Sequence, residues 1–436
     1  MRSYPEKKHS YSAVAVLTLA QVFAFIDRQI PSMLVEPIKQ DFNLTDSQIA
    51  LLGGAAFSIF YAIMALPIGY AVDRYQRTKV LGAGIFLWSL MTALAGLVNS
   101  FGKLFGARIG VAVGEAVMAP TSVSLISDSF PENKQGKPMG IITAGVYIGI
   151  GITLLGGGFL IDYLTEIGGV TLPLIGYLKP WQATFMIVGV PGLILALATF
   201  FLKEPKRIEE HVNINEAIER KNIFLHLKEH KRTLMPMFGG LIFMALIFYS
   251  FSFWAPTMMI RAFNISLSEV GLILGLITIV SSIIGTILAG SAVDYLRNKN
   301  YSDAPVRAAM IAVMLALPPI VTLSFVNSEM GAWVCIALYL LFISSFAPLG
   351  LLAISGVSTG SVKGQAAAIH AFLMMAFGLS LGPQLTAFFT DYIFADPNLL
   401  INSISLSGLI VLPISALLFK ISLTRYRESS EKLTLI

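Results

Sequence analysis

The sequence predicts an all-α integral membrane protein: twelve transmembrane helices in two related six-helix halves. Composition, the count of long apolar runs and an internal repeat carry that reading. Apolar residues make up 56% of the 436 and charged residues only 13%, about half the charged share of a soluble domain. A soluble fold with 29 Phe and so few charges has too few polar atoms to cover its surface. In lipid, only helices and closed barrels satisfy their own backbone. The apolar runs are too long and too uniform for barrel strands.

Crossing the hydrocarbon takes about 20 apolar residues. Twelve runs qualify: 11–36, 47–72, 79–98, 102–128, 137–161, 182–202, 234–260, 267–292, 306–326, 331–356, 362–390 and 400–422. The first follows Lys7 and Lys8 in the manner of a secretion signal. It contains Asp27 and Arg28, lacks a small-residue cleavage site and precedes eleven further spans, so it reads as a retained helix. Of 30 Lys and Arg, 24 fall in segments on the side of the N-terminus. Four fall on the other side (Lys39, Lys103, Lys179 and Arg261), and Arg28 and Arg108 fall within spans. Positive residues stay inside, so both termini are expected in the cytoplasm and the protein in the plasma membrane, the inner membrane of a bacterium. The same rule accounts for the net charge of +5 without a nucleic-acid partner. The single Cys, Cys335, excludes a disulfide framework and a Cys-based metal site.

The most polar stretch, Lys203–Arg232, divides the chain into a six-helix bundle over 1–202, a cytoplasmic linker over 203–232 and a second bundle over 233–436. Ile214, Ile218 and Leu225 in the linker have the spacing of a short amphipathic helix on the membrane surface; a plain solvated linker is the simpler reading. The halves repeat. Asp41-Phe42-Asn43-Leu44 matches Ala262-Phe263-Asn264-Ile265, and Gly69 with Ala71-Val72-Asp73 matches Gly290 with Ala292-Val293-Asp294, at one offset of 221. Pro120 and Gly136 match Pro348 and Gly364 at an offset of 228. Duplicated six-span units mark transporters, with the substrate site expected between halves near the midplane.

Few ionisable residues fall within spans: Asp27 and Arg28 in span one, Arg108 and Glu115 in span four, and His370 in span eleven. A charge at the bilayer centre costs about 2.5–3.5 kcal/mol on insertion scales, so such groups face a cavity or one another. At about 1.5 Å per residue, Asp27 falls between Arg108 and Glu115 in depth. The seven-residue spacing of the latter two puts them on one helix face. The four charges sum to zero, as in one buried cluster. It is either an ion- and substrate-binding site or a structural ion-pair lock. A satisfied helix contact is the plainer reading of His370, a proton site the sharper one.

The loop Gly69-Tyr-Ala-Val-Asp73-Arg74-Tyr-Gln-Arg77-Thr-Lys79, with a degraded second copy at Gly290 and Asp294, resembles the G-x-x-x-D-R-x-x-R-[RK] loop of the major facilitator superfamily. Gly69 would allow close helix approach. Asp73 at a helix end would face the positive end of another helix, by the family pattern near Ser361–Gly364. Arg74 and Arg77 would pair with an acid at the end of span four, for which Asp128 stands ready. Ordinary positive-inside loop charges are the alternative.

Three further segments resemble the Spinster branch: Phe25-Ile-Asp27-Arg28-Gln-Ile-Pro31, Ala107-Arg108-Ile-Gly-Val-Ala-Val-Gly114-Glu115-Ala116 and Ser124-Leu-Ile-Ser-Asp128-Ser-Phe130-Pro131. Ala112 stands where that branch often continues its glycine run. The resemblance implies a proton-linked transporter of lysolipids or related amphiphilic anions, working by alternating access as a monomer. By it, Asp27, Arg28, Arg108 and Glu115 serve protons and substrate. The physics agrees, since guanidinium groups suit phosphate. A transporter of small organic anions or drugs is the alternative, and a passive scramblase or channel a third.

Span five carries Gly145, Gly149, Gly151 and Gly156-Gly157-Gly158, read as close helix packing; it lacks the proline of the drug-antiporter element. Gly382-Pro383 breaks span eleven and suits a hinge. Tyr147, Tyr249, Trp254, Phe372 and Met374-Met375 are candidates for a cavity wall, though each alone suits packing. No phosphate-cradling G-x-x-x-x-G-K-[ST] loop, metal-ligand set or nucleophile–base arrangement is present, so no cofactor, metal or enzyme activity is expected.

Overall fold

The computed structural model describes residues 4–131, 134–173, 175–207, 227–358 and 360–434; of 360, 361, 363, 364 and 431–434 it describes the backbone alone. The expected amphipathic helix through Ile214, Ile218 and Leu225 lies outside the described residues. Twelve helical spans are long and apolar enough to cross a membrane. The first six are Lys7–Met33, Asp46–Arg74, Arg77–Ala95, Phe101–Ser129, Gly136–Glu166 and Pro180–Phe201. The second six are Lys231–Phe263, Leu267–Asn298, Ala304–Phe325, Glu329–Ser355, Gln365–Phe394 and Pro397–Ser430. They are numbered in this order below.

The chain forms two compact units. Unit one holds Met1–Glu210 together with Asn264–Gly275; unit two holds His211–Phe263 and Leu276–Ile436. The first turns of span eight therefore belong with unit one. There, Ser268 donates its main-chain N–H to Asp162 at 2.8 Å. A Cβ on Gly158 would stand 2.6 Å from the Leu267 carbonyl, and one on Gly271 2.1 Å from the Leu154 carbonyl.

The repeat seen in the sequence recurs as a turn. Asn43 and Asn264, at matched positions, both adopt the left-handed conformation, with φ of 54° and 53°. Asparagine tolerates that region at lower cost than most side chains. After Asn43 the chain restarts with a capping box: Thr45 accepts from the Gln48 amide while the Gln48 side chain accepts from the Thr45 amide. These two reciprocal bonds satisfy donors that an apolar helix start would leave bare. A two-stranded antiparallel ribbon, Val170–Leu172 with Gly176–Leu178, joins spans five and six. The hydropathy pattern gave no sign of it, because three-residue strands lie below the resolution of any periodicity.

Glycine sets the helix separations that position the site. A Cβ on Gly145 would fall 2.8 Å from the Thr18 carbonyl, and one on Gly149 2.5 Å from the Val22 carbonyl. Spans one and five thus pack backbone to backbone just below Asp27. Among the described residues, a Cβ on Gly69 would meet nothing within 4 Å, and the same holds at Gly290. Span eleven runs through Gly382-Pro383 as one continuous helical segment, so the expected break takes the milder form of altered helical turns. Pro383 lies inside Ser380–Phe388, between two π-helical turns, Met374–Leu379 and Phe389–Phe394. Such turns are the usual accommodation for a residue that cannot complete the helical bond ladder.

Candidate functional site: a caged arginine among buried charges

Spans one, two and four of unit one bring the four intramembrane charges together. Asp27, Arg108 and Glu115 are each 2% exposed or less, while the Arg28 side chain keeps 18% of its surface. Adjacent residues on a helix point about 100° apart, so Asp27 and Arg28 have different neighbours. The Arg28 Nε donates to Glu115 Oε2 at 2.5 Å. Arg108 Nη1 donates to the main-chain oxygen of Asp27 at 3.0 Å, bypassing its carboxylate. Among the described residues, the Asp27 carboxylate enters no ion pair. Sequence spacing placed Asp27 between Arg108 and Glu115 by depth; helix rotation gives Glu115 to Arg28 instead.

Three atoms at this one place are buried without a hydrogen-bond partner: Asp27 Oδ1, Arg108 Nε and Glu115 Oε1. The Thr92 hydroxyl stands beside the Asp27 carboxylate. Unpartnered buried polar atoms are expensive, and three of them lie together here.

Aromatic rings surround the exposed side of Arg28. Its guanidinium carbon lies 4.7 Å from the Phe25 ring centre, 4.8 Å from that of Phe57 and 5.1 Å from that of Tyr61. Phe57 also faces Arg108, at 5.7 Å, and stacks on Tyr61 with centroids 5.7 Å apart. Ring faces attract a cation and exclude water from it. Sequence reasoning missed Phe57 and Tyr61. Their spacing of four residues on span two was the available signal, but it does not stand out among 29 Phe and 14 Tyr.

A second charged cluster lies where spans three, four and six end. Arg77 is fully buried and spends its guanidinium on five acceptors. It pairs with Asp128, bonds Glu204 Oε1 at 2.7 Å, and donates to Ser124 O at 3.1 Å, Ser124 Oγ at 3.0 Å and Pro205 O at 2.7 Å. Burial alone would raise the Glu204 pKa; the bonds from the Arg77 side chain and the Thr78 amide outweigh it and hold the carboxyl below the usual range. Arg207 caps the end of span two, giving bonds to the main-chain oxygens of Asp73, Val72 (2.7 Å) and Tyr75 (2.8 Å). The Asp73 carboxylate is exposed. Arg74 lies over the Tyr70 ring at 4.9 Å. Glu204 and Arg207 were read only as linker charges.

The remaining candidates belong to unit two or the surface. Asp294 is exposed, and Tyr147 is 46% exposed. Tyr249 packs among Phe248 and Phe346. Trp254 is wholly buried and donates to the Pro383 carbonyl at 2.9 Å, which makes it a packing residue. His370 is buried, stacked on Phe238 at 6.4 Å, with its imidazole against Gly350 and its Nδ1 unpartnered. Among the described residues, no three His, Cys, Asp or Glu converge as a metal site.

Twelve spans in two units, with the Gly69–Lys79 loop and buried charges in the first, define a membrane transporter. The Major Facilitator Superfamily profile matches residues 17–383, and the chain belongs to that family. It is 27% identical over 392 residues to an MFS-type efflux pump of Mycolicibacterium smegmatis, covering 89% of this chain and 86% of that one. It is 27% identical to a probable L-galactonate transporter of Escherichia coli (72% and 68% covered). It is 24% identical to the sphingosine-1-phosphate transporter SPNS2 of Danio rerio (74% and 65% covered). In fold it is similar to a bacterial homologue of the human lysosomal transporter Spinster, solved in an inward-facing and unoccupied conformation. The TM-score is 0.80, with 23% identity and 99% of both chains covered. The Spinster resemblance read from the sequence therefore stands, and the protein is a multi-pass membrane transporter.

Proposed function

We propose that this transporter is a proton-coupled secondary carrier working by alternating access, and that its substrate is an amphiphilic anion of the lysolipid class. One observation carries the reading: a partly exposed arginine, caged by three rings, is paired with a buried carboxylate. An entering phosphate or carboxylate displaces Glu115 from Arg28 and takes a charge-assisted, bidentate bond. An alkyl chain lies against Phe25, Phe57 and Tyr61. Asp27, which has no ion-pair partner in this arrangement, is the group that takes and gives the proton. Displaced Glu115 and protonated Asp27 keep the site near neutral, so substrate and proton are linked through shared arginines. Orientation with both termini in the cytoplasm follows from the loop charges.

Uptake by reconstituted protein under a pH gradient tests coupling. Asp27→Asn should bind substrate and lose the response to the gradient. A folded, binding-competent variant with the full response removes Asp27 from that role.

The name of the Escherichia coli relative, a probable L-galactonate transporter, favours a second reading: a small, hydrophilic sugar acid that uses the same arginines. Competition binding separates the two. Displacement of a bound probe by a lysophospholipid and not by galactonate supports the amphiphile; the reverse result supports the sugar acid.

A further inference from the structure

The start of span seven and the later part of span twelve, both in unit two, are fastened together. Thr233 Oγ1 donates to the Arg425 carbonyl at 3.2 Å and bonds Ser429 Oγ at 3.0 Å. Ser422 Oγ donates to the Thr233 carbonyl at 3.1 Å, and Ser415 Oγ to the Gly240 carbonyl at 2.7 Å. Gly240 admits the ring of Phe419, which a Cβ would meet at 2.7 Å. Two helices tied in this way make rigid walls.

On the outer side of that seam lies a groove of about 650 Å³. Its apolar part is Met235, Pro236, Leu418 and Ile421, of which Met235 is 73% and Ile421 54% exposed. Its rim is Lys231, Arg232 and Arg425, at the first turn of span seven and near the end of span twelve. Arg425 shares its charge with Glu428 at 3.0 Å, both about half exposed. Among the described residues, Lys231 and Arg232 enter no ion pair, so the rim is left cationic.

We propose that this groove is a binding site for an anionic phospholipid of the surrounding leaflet. Helix ends stand at the height of the headgroups, where cations gather phosphate. The apolar groove below the rim runs in the direction an acyl chain takes. A free anion would gain the charges but leave the apolar walls in water, and a zwitterionic lipid would fill the walls while meeting the rim with its own cation. The groove belongs to unit two and shares no residue with the charge cluster of unit one.

Native mass spectrometry of the full-length protein, exchanged into detergent with phosphatidylglycerol or phosphatidylcholine, tests this. The wild type should retain one phosphatidylglycerol molecule against a large excess of phosphatidylcholine. Each cation removed should weaken retention roughly fivefold, so Lys231→Gln with Arg232→Gln should lose about 25-fold. The charge-preserving Lys231→Arg with Arg232→Lys should retain it, which separates charge from fold. Equal retention of the two lipids by the wild type, or unchanged phosphatidylglycerol retention in the double glutamine variant, overturns the proposal.

Discussion

The two six-span units solve one structural problem with opposite charges and a second problem in only one of them. In unit one, span three begins with a buried cation, Arg77, held by acids from the ends of spans four and six, Asp128 and Glu204. In unit two, span nine begins after a buried anion, Asp303. It is held by Arg307 one turn on, at 3.0 Å, and by Arg427 from span twelve at 2.7 Å. Spans three and nine correspond in the repeat, as do spans six and twelve. What duplication preserved is a buried charge fastening the third helix of each unit to the sixth; the sign was free to reverse. In mid-span the units differ in kind. Unit one holds two acids and two arginines. Unit two holds a relay of hydroxyls, Ser250 to Thr386 at 2.7 Å and Thr386 to Ser407 at 2.8 Å, which bonds helices together without charge. Position is thus a property of the fold, and, among the described residues, a mid-span cluster of ion pairs is found in unit one.

The largest effect should come from the Arg28–Glu115 pair. Removing one member of a buried pair costs about 3–5 kcal/mol, because the other charge is left uncompensated, whereas replacing both by apolar residues is close to neutral. Glu115→Leu should therefore lower the melting temperature in detergent strongly. Arg28→Met with Glu115→Leu should restore most of the stability while transport stays absent. If the double variant transports normally, the pair is only a lock.

A middle-sized effect should follow from the two fastenings. Arg77→Leu and Asp303→Leu should each destabilise by about 1–3 kcal/mol, since their partners reach water and are partly satisfied there. Similar shifts in both variants support equivalence of the two units. A large shift in one and none in the other breaks it.

The smallest effect concerns pH. The Glu204 carboxyl is held below its usual range, so its contribution is fully present above the ordinary Glu value of about 4.3. It is lost as pH falls through the lowered folded value. The melting-temperature difference between wild type and Glu204→Gln should be constant near neutrality and shrink below about pH 4.3. A difference that grows on acidification contradicts the assignment.

The spans were legible because each must carry about twenty apolar residues, a signal that survives any detail of packing. The turn at Asn43 and Asn264 was legible because one residue type at one offset marks a left-handed turn twice. The four intramembrane charges were legible because lipid makes any such residue conspicuous. Their pairing was not. Hydropathy and rise per residue give depth; which of Asp27 and Arg28 faces Glu115 depends on helix rotation, set by contacts such as Gly149 on Val22. The aromatic cage was hidden because Phe57 and Tyr61 look like any lipid-facing ring. Glu204 was hidden because a charge beside a polar linker looks solvated.

The fastening of Arg77 also has an order in time. During synthesis the chain emerges from its N-terminus, and Glu204 follows Arg77 by 127 residues. The carbonyls at the end of span two likewise wait for Arg207, which bonds Val72 across 135 residues. Until span six and the next few residues have left the ribosome, Arg77 lacks Glu204, and the end of span two lacks its Arg207 cap. The first half is thus stitched shut from its last-made end, and a nascent chain arrested at residue 202 would be six spans long and still unsealed.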